Sequence, residues 1–140
     1  MEKFVFLEHT ADVFFEAYGF TFEEAFRNAA LAMFSTIAKT ESLSEEETVE
    51  VSEEADNMED LVSFALSDLL SECDSREMFF SRIDVTGFSQ EEGKCSLKCT
   101  AYGEPMSSEK GKMTVKAVTH HETKVEKEGN MWKIRILLDI

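Results

Sequence analysis

From Met58 to Cys73 the residues Met58, Leu61, Val62, Ala65, Leu66, Leu69, Leu70 and Cys73 recur in alternating steps of three and one. At 3.6 residues per turn that spacing puts all eight on one side of a helix, and a stripe so wide has to be buried against another layer. Asp56 and Glu59 precede it with the spacing of an N-terminal capping pair. A second helix is predicted from Thr21-Phe22-Glu23-Glu24. The Thr21 hydroxyl can accept from the Glu24 N–H while the Glu24 carboxylate reaches back to Thr21. Phe22, Ala25, Phe26, Ala29, Met33 and Ile37 then repeat every three or four residues, which carries this helix to about Ala38.

The other segments alternate or are rich in β-branched and aromatic residues, as strands are. They are Phe4 to Leu7, Val13 to Tyr18, Thr48 to Val51, Phe79 to Thr86, Lys94 to Tyr102, Met113 to Thr119, Lys124 to Glu126 and Trp132 to Leu138. Glu128-Gly129-Asn130 reads as a hairpin turn between the last two. Beyond it, Trp132, Ile134, Ile136, Leu138 and Ile140 share one face, and Lys133, Arg135, Leu137 and Asp139 share the other. Two helices among about eight strands with short connections predict an α+β fold, with the helices packed on largely antiparallel sheet. The order strand–helix–strand occurs around each helix, which suggests duplicated strand–helix–strand–strand modules, although no clear sequence repeat accompanies it. The 140 residues, 43% hydrophobic with twelve Phe, one Pro and six Gly, suit one domain spanning residues 1–140.

The formal net charge is −15, and between Lys39 and Arg76 thirteen Asp or Glu stand with no Lys or Arg. Such a field repels phosphate backbones and attracts cations or basic proteins, so no direct nucleic-acid binding is expected through that surface. It also suits a solvated face that keeps the protein in solution. No apolar run approaches the ~20 residues that span a bilayer, and the N-terminus has no secretory pattern, so a cytoplasmic protein with no membrane partner is expected. Cys73, Cys95 and Cys99 are then read as reduced core residues.

His9, His120 and His121 could act as bases, yet no nucleophile elbow or triad motif accompanies them. Cys95 and Cys99 share a strand face about 13 Å apart, too far for one tetrahedral zinc. No glycine-rich phosphate loop is present. Oxygen ligands remain. Asp12 falls in Glu8-His9-Thr10-Ala11-Asp12-Val13, between two apolar runs, and Asp139 stands beside the α-carboxylate of Ile140. Brought together, these would form a hard, anionic, oxygen-only cluster suited to Ca²⁺ or Mg²⁺. Spacing alone favours the plainer reading, an exposed terminus and an Asp capping a turn after Thr10.

Five pieces in order, "FLEHTADV" (Phe6 to Val13), "TFEEAFRNAALAMF" (Thr21 to Phe34), "FFSRIDV" (Phe79 to Val85), "KAVTHH" (Lys116 to His121) and "LLDI" (Leu137 to Ile140), resemble the archease family over nearly the whole chain. The resemblance implies an α+β protein that is not itself an enzyme and activates the tRNA-splicing RNA ligase. The activator promotes guanylylation of the ligase's active-site histidine, supports its multiple turnover and broadens its nucleotide use. It also implies a metal site, usually assigned calcium, at Asp12, Asp139 and Ile140, with Lys116 as a polar neighbour facing the site or the partner. His9 is expected to be a structural histidine or to orient Asp12. Phe14 and His120 depart from the residues frequent in the family, which leaves the roles of His120 and His121 open. A general chaperone or scaffold, and a metal-dependent hydrolase using Asp12 and His9, are the competing expectations.

Overall fold

The computed structural model describes residues 2–8 and 12–140; Met1, His9, Thr10 and Ala11, and with them the expected role of His9, lie outside the described residues. The elements in chain order are β1 (Phe4–Leu7), β2 (Asp12–Gly19), α1 (Phe22–Ile37), a 3-10 turn (Thr40–Ser42), β3 (Glu47–Ala55), α2 (Met58–Arg76), β4 (Met78–Glu91), β5 (Lys94–Pro105), β6 (Ala117–Val118), β7 (Lys124–Glu128) and β8 (Met131–Asp139). They form the expected two helices on antiparallel sheet, divided between two sheets.

The first sheet is built from the two ends of the chain, in the order β1-β2-β8-β6, with β7 pairing the start of β8 and β6 its end. The second comes from the middle, in the order β3-β5-β4. Within it β3 and β4 both run antiparallel to β5, so β3–α2–β4–β5 is one continuous strand–helix–strand–strand module. The expected second copy differs. The strand entering α1 is β2, but the strand that follows, β3, lies in the other sheet, and β2 takes the last strand, β8, as its neighbour. The middle module is thus inserted into a unit whose own strands lie at the two ends of the chain.

All eight positions of the α2 stripe are buried. They cover the inner face of the second sheet, where Val49, Val51, Leu97, Cys99 and Ala101 are also buried. The α2 cap is one residue later than the pattern suggested: Asn57 is extended and its Oδ1 accepts from Asp60 N at 2.8 Å. Asn caps as well as Asp, and from position 57 the stripe begins in the first turn. In α1 the Thr21 hydroxyl accepts from Glu24 N at 3.0 Å, while the Glu24 carboxylate takes Phe20 N rather than Thr21 N. This helix is buried beyond its expected stripe, at Ala30, Ala32, Phe34 and Thr36 as well, because it packs on β2 and β8 of one sheet and on β4 of the other. The Phe22 ring joins the two, 4.5 Å from Phe88 of β4 and 5.8 Å from Trp132 of β8 between centroids.

The predicted strand Met113 to Thr119 shrinks to Ala117–Val118. Its first residue and the one before it serve α1 instead: Lys112 N and Met113 N donate to Ile37 O at 2.8 and 3.4 Å, and Lys112 Nζ donates to Ser35 O at 2.8 Å. The last carbonyls of a helix lack intrahelical donors, and α1 has no basic residue of its own in its last turn, so this segment supplies them. The three cysteines are buried and unbridged, and burial pushes the Cys73 and Cys99 thiols up to about 12.

Candidate functional site

β2 and β8 pair over their full lengths, from Gly19 opposite Trp132 to Asp12 opposite Asp139. Two carboxylates 127 positions apart in the chain are therefore direct cross-strand neighbours. Opposite residues of an antiparallel pair project from the same face, with Cβ atoms about 4.5–5.5 Å apart. The face follows from burial. Phe15, Ala17, Ile134, Ile136 and Leu138 are buried against α1, so Asp12 and Asp139 stand on the other side, in line with Phe14, Glu16, Leu137 and Arg135. Asp139 is exposed, and across its other edge sits exposed Ala117, whose methyl leaves the carboxylate open.

Arg135 and Lys133 lie on this same face, and Lys133 pairs with Glu126 and Glu128 at 3.6 and 3.3 Å. Arg135 donates to Glu16 Oε2 through Nε and Nη2, at 3.0 and 2.6 Å, and its guanidinium lies 5.8 Å from the Phe14 ring centroid. Burial raises the Glu16 pKa, but the hydrogen bonds from Arg135 and Tyr18 and the Arg135 charge outweigh it and hold the carboxyl below its usual range. The Glu16–Arg135 pair lies four residues along the strands from Asp12 and Asp139, about 13 Å.

Lys116 reaches Asp139 through its main chain, Lys116 N donating to Asp139 O at 2.7 Å. Its side chain lines a cleft of about 290 Å³ against α2, with Ser67, Ser71 and Asp74. Asp12 borders a larger cleft of about 550 Å³ whose walls include Phe4, Phe6, Leu7, Val13 and Met113. Ile140 is partly buried against the core. The register thus brings together Asp12, Asp139 and the start of Ile140, with Lys116 adjoining by its backbone. Among the described residues no three His, Cys, Asp or Glu side chains converge as a metal cluster. The carboxylates that the register sets side by side are hard oxygen donors, a type that suits Ca²⁺ or Mg²⁺ by donor chemistry.

A second constellation is one that sequence reasoning missed. His120 Nδ1 lies 2.9 Å from Ser63 Oγ, and His120 Nε2 lies 2.5 Å from Asp60 Oδ1. The hydrogen bond to His120 is the main cause holding the Asp60 carboxyl below its ordinary range. Asp60 and Ser63, three apart on α2, were the available signal, since both face the same way one turn apart. The residue types are those of a nucleophilic triad, yet Ser63 is 2% exposed and has no surface from which to meet a substrate. His121 is exposed, 3.9 Å from Glu122.

Comparison with known proteins agrees with this architecture. The model of the Archease protein family matches residues 4–140. Protein archease of Methanosarcina mazei is 40% identical over 141 residues, covering 99% of this chain and 97% of the relative. Protein archease of Sulfurisphaera tokodaii is 37% identical, with all of both chains covered. The solution structure of Methanobacterium thermoautotrophicum protein 1598 superposes with a TM-score of 0.86 at 32% identity over the whole of both chains. A Thermotoga maritima crystal structure, titled an archease and possible chaperone, shares the fold at a TM-score of 0.61 and 20% identity, covering 96% of this chain and 94% of that one. With its ends paired in one sheet, its middle inserted as another, and this likeness running through nearly every residue, the chain belongs to the archease family.

Proposed function

We propose that this protein activates an RNA ligase of the tRNA-splicing type by binding it and promoting guanylylation of its active-site histidine, so that the ligase turns over repeatedly and accepts a wider range of nucleotides. The observation that carries the reading is the cross-strand pairing of Asp12 with Asp139 on the sheet face turned away from α1, next to the last residue. Asp12, Asp139 and the Ile140 α-carboxylate would hold a divalent cation, calcium by the family's pattern, and the cation would supply positive charge at a tip that is otherwise anionic. The chain's own residues do the positioning. The β2–β8 ladder sets the two carboxylates side by side, Lys116 N fixes the Asp139 carbonyl, and the Glu16–Arg135 pair braces the strands behind them. The acidic body, carrying most of its charge between Lys39 and Arg76, suits a basic protein surface rather than RNA. No helix is long and apolar enough to cross a membrane among the described residues.

A single-turnover guanylylation assay of purified ligase, with and without this protein, tests the activity. Acceleration that vanishes in Asp12→Ala is expected; an unchanged rate with a cognate ligase refutes activation. Extending the chain beyond Ile140 with a few residues tests the terminal carboxylate, since calorimetry should then show weaker calcium binding. The competing chaperone reading draws on Phe6 and Met113, which are 50% and 43% exposed beside the Asp12 cleft. It predicts suppressed aggregation of unrelated clients, unaffected by Asp12→Ala.

A further inference from the structure

Among the described residues, α2 reaches the segment between β6 and β8 through three polar side chains of its first two turns. Asp60 and Ser63 hold the two ring nitrogens of His120, and Glu59 accepts from Val125 N at 3.3 Å. Both nitrogens being engaged, the ring has one orientation, with the Phe64 ring 5.7 Å away. From His120 the hydrogen bonds run on toward β8. His120 O accepts from Thr123 N, Thr123 Oγ1 donates to Thr119 O at 3.0 Å, and Thr119 N donates to Leu137 O at 3.0 Å, its hydroxyl lying between His121 O at 2.9 Å and Leu137 O at 3.1 Å. Leu137 is two residues from Asp139, and Lys116 N closes on Asp139 O at the other end of β6.

β6 is two residues long, too short for its own ladder to hold it in place. Its position draws on contacts from outside that ladder, and α2, which belongs to the other sheet, supplies side chains for one of them at His120. We infer that His120 is a positioning residue for the Asp12–Asp139 site: held by Asp60 and Ser63, it fixes the Lys116–Thr119 segment and through it the backbone of Asp139. The role rests on the reading of that carboxylate pair as a cation-binding tip. It also gives the polar chain Ser63–His120–Asp60 a purpose that its buried hydroxyl denies it as a nucleophile.

The test compares wild type with His120→Ala, His120→Gln and Asp60→Asn by two readouts below the unfolding temperature: amide exchange at Lys116 and Thr119, and calcium titration by calorimetry. His120→Ala should speed exchange at both amides and weaken calcium binding by about tenfold, as loss of a partner behind a metal ligand does. Asp60→Asn should move both readouts the same way, by less. His120→Gln, whose side-chain N–H can still donate to Asp60, should recover most of both. Wild-type exchange at Lys116 and Thr119 in His120→Ala overturns the positioning role, as does unchanged calcium affinity. Accelerated exchange in a protein whose wild type takes no calcium refutes instead the cation-site reading, and with it any role of His120 there.

Discussion

Asp139→Asn tests the carboxylate pair by a route that needs no ligase. Two unit charges about 5 Å apart repel by about 0.8 kcal/mol at the dielectric of water and by about 3 kcal/mol at an effective value near 20. Asp139 is exposed, so the lower part of that range applies, near 1 kcal/mol. Asn keeps the shape and removes the charge. In chelator at low salt the variant should therefore unfold about 1 kcal/mol later than wild type, a shift of about 3–4 °C at this size. Salt at 0.5 M should shrink the gain, since the Debye length then falls to a few ångströms. Calcium should reverse the order. At a hundred times its dissociation constant a bound cation adds about 2.7 kcal/mol to wild type and much less to the variant, which has lost a ligand. Chemical denaturation with and without calcium, at two salt concentrations, measures all of this. Equal stability of the two proteins in low-salt chelator would refute the cross-strand repulsion, and equal calcium-induced shifts would refute ligation by Asp139.

Gly103→Ala should be severely destabilising, because a Cβ there would lie 2.0 Å from Phe79 O and force β4 away from β5. A loss of about 3 kcal/mol or more in denaturant unfolding is expected. Glu77 closes α2 in the left-handed region at φ 51°, so Glu77→Gly should raise stability by about 1 kcal/mol, read as a later denaturation midpoint. Glu53 on β3 has its carboxyl raised by burial and by the hydrogen bond and charge of Asp68. A raised folded-state pKa contributes stability that is complete below the unfolded value, about 4.3, and is lost as pH rises through the folded one. Glu53→Gln should therefore raise the melting temperature at pH 7 and lose that advantage near pH 4; a gap independent of pH would show that the two carboxyls do not interact.

The helices were legible because their signal is local. The α2 stripe and the Thr21 cap are patterns within four residues of themselves, and both survive folding unchanged in character. What the chain order concealed was partnership. Met113 to Thr119 alternates as a strand does, but α1 ends with carbonyls that need donors, and Lys112 and Met113 are taken for that purpose. β4, expected to end at Thr86, runs on through Gly87, Phe88, Ser89 and Gln90. Pairing with β5 carries it to Glu91, with register shifts after Phe80 and Val85. The candidate site was legible in part. Asp12 and Asp139 stood out as oxygen donors and the resemblance added weight to them and brought in Lys116, while their meeting is a property of the register. His120 was visible only as a histidine of open role, because its partners stand 57 and 60 residues earlier on a helix of the other sheet.

The nested order of the chain explains why a site can lie at its extremities. Pairing β2 with β8 closes a loop of more than a hundred residues, and loop-closure entropy grows only as the logarithm of length, about 0.6 kcal/mol per doubling. The inserted β3–α2–β4–β5 module forms from neighbours in sequence, and once folded it shortens the effective loop that β8 has to close. α1 offers one surface to both sheets, through Phe22 against Phe88 and Trp132, so that the last strand closes a core the two sheets share. The Asp12–Asp139 pair closes a ladder whose seven other matched residue pairs outweigh the one unfavourable pair at its end.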